Sequence, residues 1–426
     1  MEHTTLRSLR SLYFALLTLA PALAAAQQAF TWDQIRDRFV QKNPTLLADK
    51  LSVDESRAQE ITAFLRPNPD FTLTVDGTQI APNHGVWQPF TGTFESPGIS
   101  QLIERRHKRH LRLESAKKGT LIAESTHADL ERTMIFTLRS AFVSTLQAKA
   151  VLQLAKDNLD YYDHVLKVSR DRFSAGDIAQ IDLDRLELQR VQYESDLQNA
   201  EINLADAKIQ LLTLLNDRTP QSQFDVTGLY DFTDDLLQRE EFRKIALDTR
   251  PDLRAALQSV DKAQTDYKLA VANGSTDPTI AGWWTHNSST NNPFARDTLG
   301  VSVSIPLRIF DRNQGEKLRT KLDIERNQKL HDAAEAQVLS DVDTGYATVE
   351  SNLVLLRPYR AKYLQLSVRV RDTVLFAYQH GGASLLDFLN AESDYRTVQL
   401  NYVNLVGSYL TAAAQLNEAV GREVIQ

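Results

Sequence analysis

The chain has 426 residues and a formal net charge of -7, from 48 Lys and Arg against 55 Asp and Glu. It contains no cysteine and two methionines, which excludes disulfides, thiolate metal sites, a cysteine-linked lipid anchor and a soft-metal relay. The acidic balance argues against nucleic acid as a partner.

Residues 1–26 read as an export signal. Arg7 and Arg10 make a basic start, residues 13–19 are apolar, and Ala24-Ala25-Ala26 offers a small-residue cleavage site before Gln27. No later window holds the roughly 18–20 continuous apolar residues that a membrane-spanning helix needs, which leaves a soluble protein or a β-barrel.

The first unit covers 27–217. Thr31 opens a short helix that Asn43-Pro44 interrupts, and Pro44 starts a second helix to about Phe64. After Pro67-Asn68-Pro69, Phe71, Leu73 and Val75 alternate with Thr72, Thr74 and Asp76, predicting a strand over about 70–77 with one apolar face. A loop with Trp87 and Phe90 leads to a poorer strand over 93–103, weakened by Pro97-Gly98. Residues 105–216 contain no proline and turn back once, near Gly176. Met134, Leu138, Ala141, Thr145, Ala148, Leu152, Ala155 and Leu159, then Tyr193, Leu197, Ala200, Leu204, Ala207, Leu211 and Leu214, recur at spacings of three and four. That pattern predicts two long helices joined along a narrow coiled-coil seam. At ~1.5 Å per residue the first would be roughly 100 Å long, a rod rather than a globule.

An inter-unit segment, 218–236, precedes a second unit over 237–426 with the same plan. Pro251 opens a helix as Pro44 does, and strands are expected at about 279–286 and 298–307. A helical hairpin follows over 314–419, turning at Gly381-Gly382. Phe173 and Tyr378, Gly176 and Gly381, and Asp182 and Asp387 are each 205 residues apart, so the unit reads as a duplication.

Thr31-Trp32-Asp33-Gln34-Ile35 with Asn43-Pro44, Pro67-Asn68-Pro69, Ile305-Pro306-Leu307, and Tyr378-Gln379-His380-Gly381 with 386–391 resemble the TolC family of outer-membrane efflux proteins over essentially the whole mature chain. Phe310-Asp311-Arg312-Asn313-Gln314-Gly315, and Gln101 with Lys108-Arg109, are most similar to the branch serving heavy-metal efflux, CzcC-like proteins. The resemblance implies a mainly α fold with a small β part. It also implies a homotrimer in which four strands per chain close a twelve-stranded outer-membrane barrel, continued by a periplasmic α-helical coiled-coil tunnel. The implied partners are a periplasmic adaptor (membrane fusion protein), an inner-membrane pump of the RND type and outer-membrane lipid.

Candidate sites follow. Phe71, Leu73, Val75, Leu299, Val301, Val303 and Ile305 are expected on the lipid face, with Trp283 and Trp284 as interfacial aromatics. Arg105, Arg106, Lys108 and Arg109, just after a strand, are headgroup-contact candidates, with a solvated helix start as the alternative. The turns at Gly176 with Asp182 and Gly381 with Asp387 are the expected adaptor-docking tips. Asp387 matches the first acidic position of the family's constriction, and Asn390 stands where many members carry a second Asp, which implies a weaker ring; Asp387 could otherwise be an ordinary first-turn acid on a helix dipole. No catalytic residue, cofactor or metal site is expected: His107 and His110 lack a third ligand, and His380, Ser384 and Asp387 lack the geometry of a relay. The alternatives are a soluble periplasmic coiled-coil scaffold, which would not explain the alternating strands, and a type I secretion duct of the same fold.

Overall fold

Two helical hairpins and one four-stranded sheet account for most of the chain. The computed structural model describes residues 28–287 and 296–425, so the expected export signal lies outside the described residues. A short strand, β1 (Gln28–Phe30), leads into α1 (Trp32–Lys42), which Thr31 opens by a capping box with Gln34. The Asn43 side chain then accepts from the amides of Thr45 and Leu46 to open α2 (Pro44–Phe64), with Pro44 in the first turn where its missing N–H costs nothing.

The sheet contains β2 (Asp70–Asp76), β3 (Phe94–Leu102), β5 (Thr279–Asn287) and β6 (Asp297–Ser304), antiparallel throughout in the order β2-β3-β5-β6. The expected weak strand at 93–103 is an interior strand of nine residues. Its ladder to β5 is interrupted at Ser96 and Pro97, where proline has no N–H to give, and Ser96 Oγ instead meets Thr285 Oγ1 at 2.8 Å. Ile305 lies just beyond β6, which stops before Pro306.

From the sheet the chain enters α3 (Lys108–Ala175), 68 residues without a break, and returns along α4 (Gln180–Leu214). A single 3-10 turn (Gln221–Gln223) precedes β4 (Phe224–Val226), which pairs in parallel with β1. This pairing of two distant three-residue strands has no periodic signal in the sequence. After α5 (Arg239–Thr249) and α6 (Pro251–Asn273) come β5 and β6, then α7 (Gln314–Pro358). Pro358 is followed by a π turn (Tyr359–Tyr363), after which the rod continues as α8 (Leu364–Gln379) and returns as α9 (Leu385–Val420). The missing N–H of proline and its ring clash with the preceding turn account for this break, which α3 lacks.

Three buried clusters hold these parts together. One joins α5, α7 and α9 through Phe242, Val342, Val349 and Leu416. A second gathers Ile35, Phe39, Leu138, Phe142 and Phe224 where α1 meets the first hairpin. The third, near the far end of both hairpins, stacks Tyr162 on Tyr193 at 4.3 Å and Tyr378 on Phe388 at 5.7 Å. Here α3 packs on both α4 and α9, and α9 on α8, while α4 also reaches α9 through Tyr193 to Glu392 and Asp196 to Arg396. The seam expected from the heptads is turned inward: Leu138, Thr145, Tyr193, Ala200 and Leu211 are buried.

Candidate functional site: the open sheet and the helical tip

Strand register assigns each sheet residue to a face. One row runs Phe71, Ile99, Gly282, Val301, and the next Leu73, Pro97, Trp284, Leu299, with Val75 and Val303 on the same side. The opposite side carries Thr72, Gly98, Trp283, Gly300 and Thr74, Ser96, Thr285, Thr298. The sheet therefore has one apolar and one hydroxyl-rich face, and both are open to the surroundings: Phe71 is 74% exposed, Leu299 87% and Val301 77%. The two tryptophans point to opposite faces, so only Trp284 shares the apolar side. Trp283 covers Gly300 on the polar one, where a Cβ on that glycine would strike the indole. Period two separates the adjacent residues, which the expectation of a shared interfacial role overlooked.

The basic run after β3 is divided in the same way. Arg106 and His107 take positive φ (58° and 56°) and swing the chain from strand into helix. Lys108 consequently faces inward at 4% exposure, its Nζ 2.5 Å from Asp277 Oδ2 and 2.9 Å from the Ser275 carbonyl. It is unavailable to lipid headgroups. Arg105 and Arg106 are exposed, while Arg109 lies 4.3 Å over the Phe64 ring.

At the far end of the hairpins, Gly176 and Gly381 adopt φ of 84° and 78°, and their surroundings would leave room for a Cβ. Glycine is demanded there by backbone conformation rather than by space. The two turns then diverge. Ser384 caps α9, accepting from the Asp387 amide, while the Asp387 carboxylate accepts from the Ser384 hydroxyl at 2.7 Å and its amide at 3.0 Å. These hydrogen bonds hold the Asp387 carboxyl below the usual carboxylate range. In the first turn Ala179 occupies the capping position, so Asp182 has no such hydroxyl to bind. Asp182 is half-buried, whereas Asp387 and Asn390 are exposed.

Deeper in the same bundle is a residue that the sequence reading passed over. Glu392 is 1% exposed, accepts a hydrogen bond from the Tyr193 hydroxyl at 3.3 Å, and has no partner for Oε2 among the described residues. The missed signal was its spacing: it follows Leu385 and Phe388 by seven and four, a seam position where the heptad asks for an apolar side chain.

A cleft of about 770 Å³ also lies where α1, α3 and α9 meet, lined by Trp32, Arg139 and Phe142. Three of its arginines are already engaged: Arg36 with Asp33, Arg132 with Asp129, and Arg139 over Trp32 at 4.5 Å. Among the described residues no helix is long and apolar enough to cross a membrane, and no cluster of three His, Asp or Glu side chains could hold a metal.

Comparison with known proteins agrees with this architecture. The cobalt-zinc-cadmium resistance protein CzcC of Cupriavidus metallidurans is 24% identical over 392 residues, covering 89% of this chain and 87% of that protein. The pyoverdine export outer membrane protein OpmQ of Pseudomonas aeruginosa is 22% identical over 328 residues, covering 72% of this chain and 65% of its own length. The fold matches the crystal structure of the outer membrane protein VceC from Vibrio cholerae with a TM-score of 0.74 at 14% identity, over 92% of this chain and 96% of that one. The family model for outer membrane efflux proteins matches residues 35–217 and 243–422, which takes in the open sheet, both hairpins and both turns. The chain belongs to the outer membrane efflux protein (TolC) family: an outer-membrane channel protein with a periplasmic extension, a passive conduit rather than an enzyme.

Proposed function

We propose that three copies of this chain form the exit duct of a tripartite efflux system, with the sheets closed into a twelve-stranded barrel and the hairpins into a periplasmic tunnel. The observation that carries the proposal is that both outer borders of the protomer are unfinished in matching ways. β2 and β6 are the two edges of a four-stranded sheet whose apolar face is exposed, and a lipid-embedded sheet cannot leave such edges unpaired. In the rods, α4 packs chiefly on α3 and α8 chiefly on α9. Yet α4 carries a second stripe, Ile181, Leu188, Ile202 and Ile209, at multiples of seven, between 48% and 72% exposed. Along the π turn and α8, Tyr363, Val370 and Phe376 are exposed in turn. Joining the α4 border of one copy to the α8 border of the next, and β2 to β6, completes both layers with one rotation, as a closed ring of head-to-tail contacts does. A soluble scaffold would explain the stripes but not the exposed apolar sheet.

In this arrangement Phe71, Leu73, Val75, Trp284, Leu299, Val301 and Val303 face lipid, and Arg105 and Arg106 lie near headgroups. The Gly176 and Gly381 turns, with Asp182 and Asp387, receive the periplasmic adaptor, and an inner-membrane pump of the RND type drives the cargo. Asp387 and Asn390 from three copies surround the exit constriction. Similarity to a cobalt-zinc-cadmium resistance protein supports divalent metal cations as cargo. The test is complementation in a strain lacking its own metal-efflux duct. Restored resistance to cobalt, zinc or cadmium that depends on the cognate pump is the expected result; export of an organic siderophore without metal resistance would overturn the assignment of cargo.

A further inference from the structure

The third buried cluster is unusually poor in satisfied polar atoms. Besides Glu392 Oε2, the hydroxyls of Tyr161 and Tyr378 and one guanidinium nitrogen of Arg172 are buried there without a hydrogen-bond partner among the described residues. Each such group lowers the stability of packing two hairpins together. Glu392 is the carboxyl at the centre of this contact.

Its surroundings offer no ion pair. From α3 it is faced by Tyr161 and Tyr162, and from α4 by Tyr193, with Asp196 beyond. From α8 come Arg371, Asp372 and Tyr378, and α9 itself contributes Tyr395 and Arg396. Both arginines are committed elsewhere: Arg371 lies 2.9 Å from Asp372 and stacks on Tyr161 and Tyr395, while Arg396 pairs with Asp196 and stacks on Tyr193. Burial accordingly pushes the Glu392 carboxyl above its usual range, against the nearby Arg371 charge. The equivalent residue of the first unit, Glu187, 205 positions earlier, is an exposed partner of Arg170 at 2.8 Å. The duplication thus carries one acid in solvent and its counterpart inside the contact between hairpins.

We propose that Glu392 is a proton-operated latch between the two helical hairpins: uncharged, it stays packed beneath Tyr193, and on losing its proton it favours separation of α4 from α9 and loosening of the tip. Its relevance to gating rests on the duct reading above, whereas the latch itself is a property of one protomer. An ionised carboxylate would have one hydrogen bond here, from the Tyr193 hydroxyl, and for countercharge only Arg371 and Arg396, each already paired with an aspartate; solvent is reached only by opening the contact. The packed state is therefore favoured at low pH and weakened as pH rises through the raised titration of Glu392. With one proton involved, the ratio of separated to packed hairpins climbs by at most about tenfold per pH unit within that window.

The test places a pair of distance probes at Gln189 and Ser393, which line the groove of about 450 Å³ beside Tyr193, by replacing each with cysteine in the full-length chain. Scanning from about pH 5 to about pH 8, across and above the carboxylate range, the probes should move apart. Glu392→Gln should stay at the short distance throughout, and Glu187→Gln, at the exposed counterpart in the first unit, should respond like the parent. Should the Gln variant fail to fold, Tyr193→Phe serves instead, and should let the hairpins separate at lower pH than in the parent, because ionised Glu392 loses its one hydrogen bond in the packed state. A distance independent of pH in the parent, or a response retained in Glu392→Gln, or one abolished by Glu187→Gln, would overturn the latch. Particle mass and bilayer conductance, measured on the same samples, report failure of the duct reading separately.

Discussion

Lys108 and Asp277 meet at 2.5 Å beneath the sheet, where the start of α3 in the first unit reaches the segment between α6 and β5 in the second. The Asp277 carboxylate also accepts from the Arg105 amide at 2.9 Å, so one side chain fixes both the strand exit and the helix entry. Removing either partner leaves a buried charge uncompensated. Lys108→Met or Asp277→Asn should cost about 3–5 kcal/mol in denaturant or thermal unfolding, and the double variant less than the sum. Equal and additive small losses would show that the pair is not coupled.

Both tip glycines should resist substitution for conformational reasons alone. At φ near 80° with open space around them, Gly176→Ala and Gly381→Ala are each expected to lose about 1–2 kcal/mol, and asparagine less. Urea unfolding of the purified variants measures this. A loss for alanine no larger than for asparagine would indicate that contacts rather than φ select glycine.

The asymmetric caps yield a paired prediction. Ser384→Ala should destabilise by about 0.5–2 kcal/mol, while Ala179→Ser, which places a hydroxyl before Asp182, should stabilise the first turn. The pH dependence has a definite sign: Asp387 titrates below its unfolded value in the protomer, so its contribution is complete above the unfolded pKa and is lost as pH falls through the folded one. Ser384→Ala should therefore flatten the acid side of the stability profile. If three copies bring Asp387 together at a constriction, their mutual repulsion raises the pKa again, and NMR titration of monomer against trimer distinguishes the two environments.

Opposite faces for Trp283 and Trp284 can be read with brominated lipids, which quench only indoles in contact with acyl chains. Trp284→Phe should remove most of the quenchable emission and Trp283→Phe little of it. The reverse would place the hydroxyl-rich face against lipid and invert the sheet.

How much of this was legible in the sequence depended on whether a signal was periodic. The long rods followed from heptads such as Leu197, Leu204 and Leu211, and the strands from alternations such as Phe71, Leu73 and Val75. The pairing of β1 with β4 could not be read, because three residues are too few to set a period and the partners lie nearly 200 residues apart. Lys108 hid within a basic run because its burial is produced by two left-handed residues before it, a conformation that Arg106 and His107 do not advertise. Glu392 left a trace, a charge at a seam position, but only the structure showed that two hairpins close over it. The family resemblance supplied the expectation of partners and of a trimer, which no single protomer displays.

In the proposed duct the two unfinished borders of the protomer find each other in further copies within the outer membrane. The direct measurement is membrane fractionation followed by the mass of the detergent-extracted particle, with Leu188→Glu and Ile202→Glu on α4 as controls. Extraction from the outer membrane as a particle of three chains, reduced to smaller species by either substitution, is the expected result. Recovery of the native protein in the soluble fraction as a monomer or dimer would contradict it.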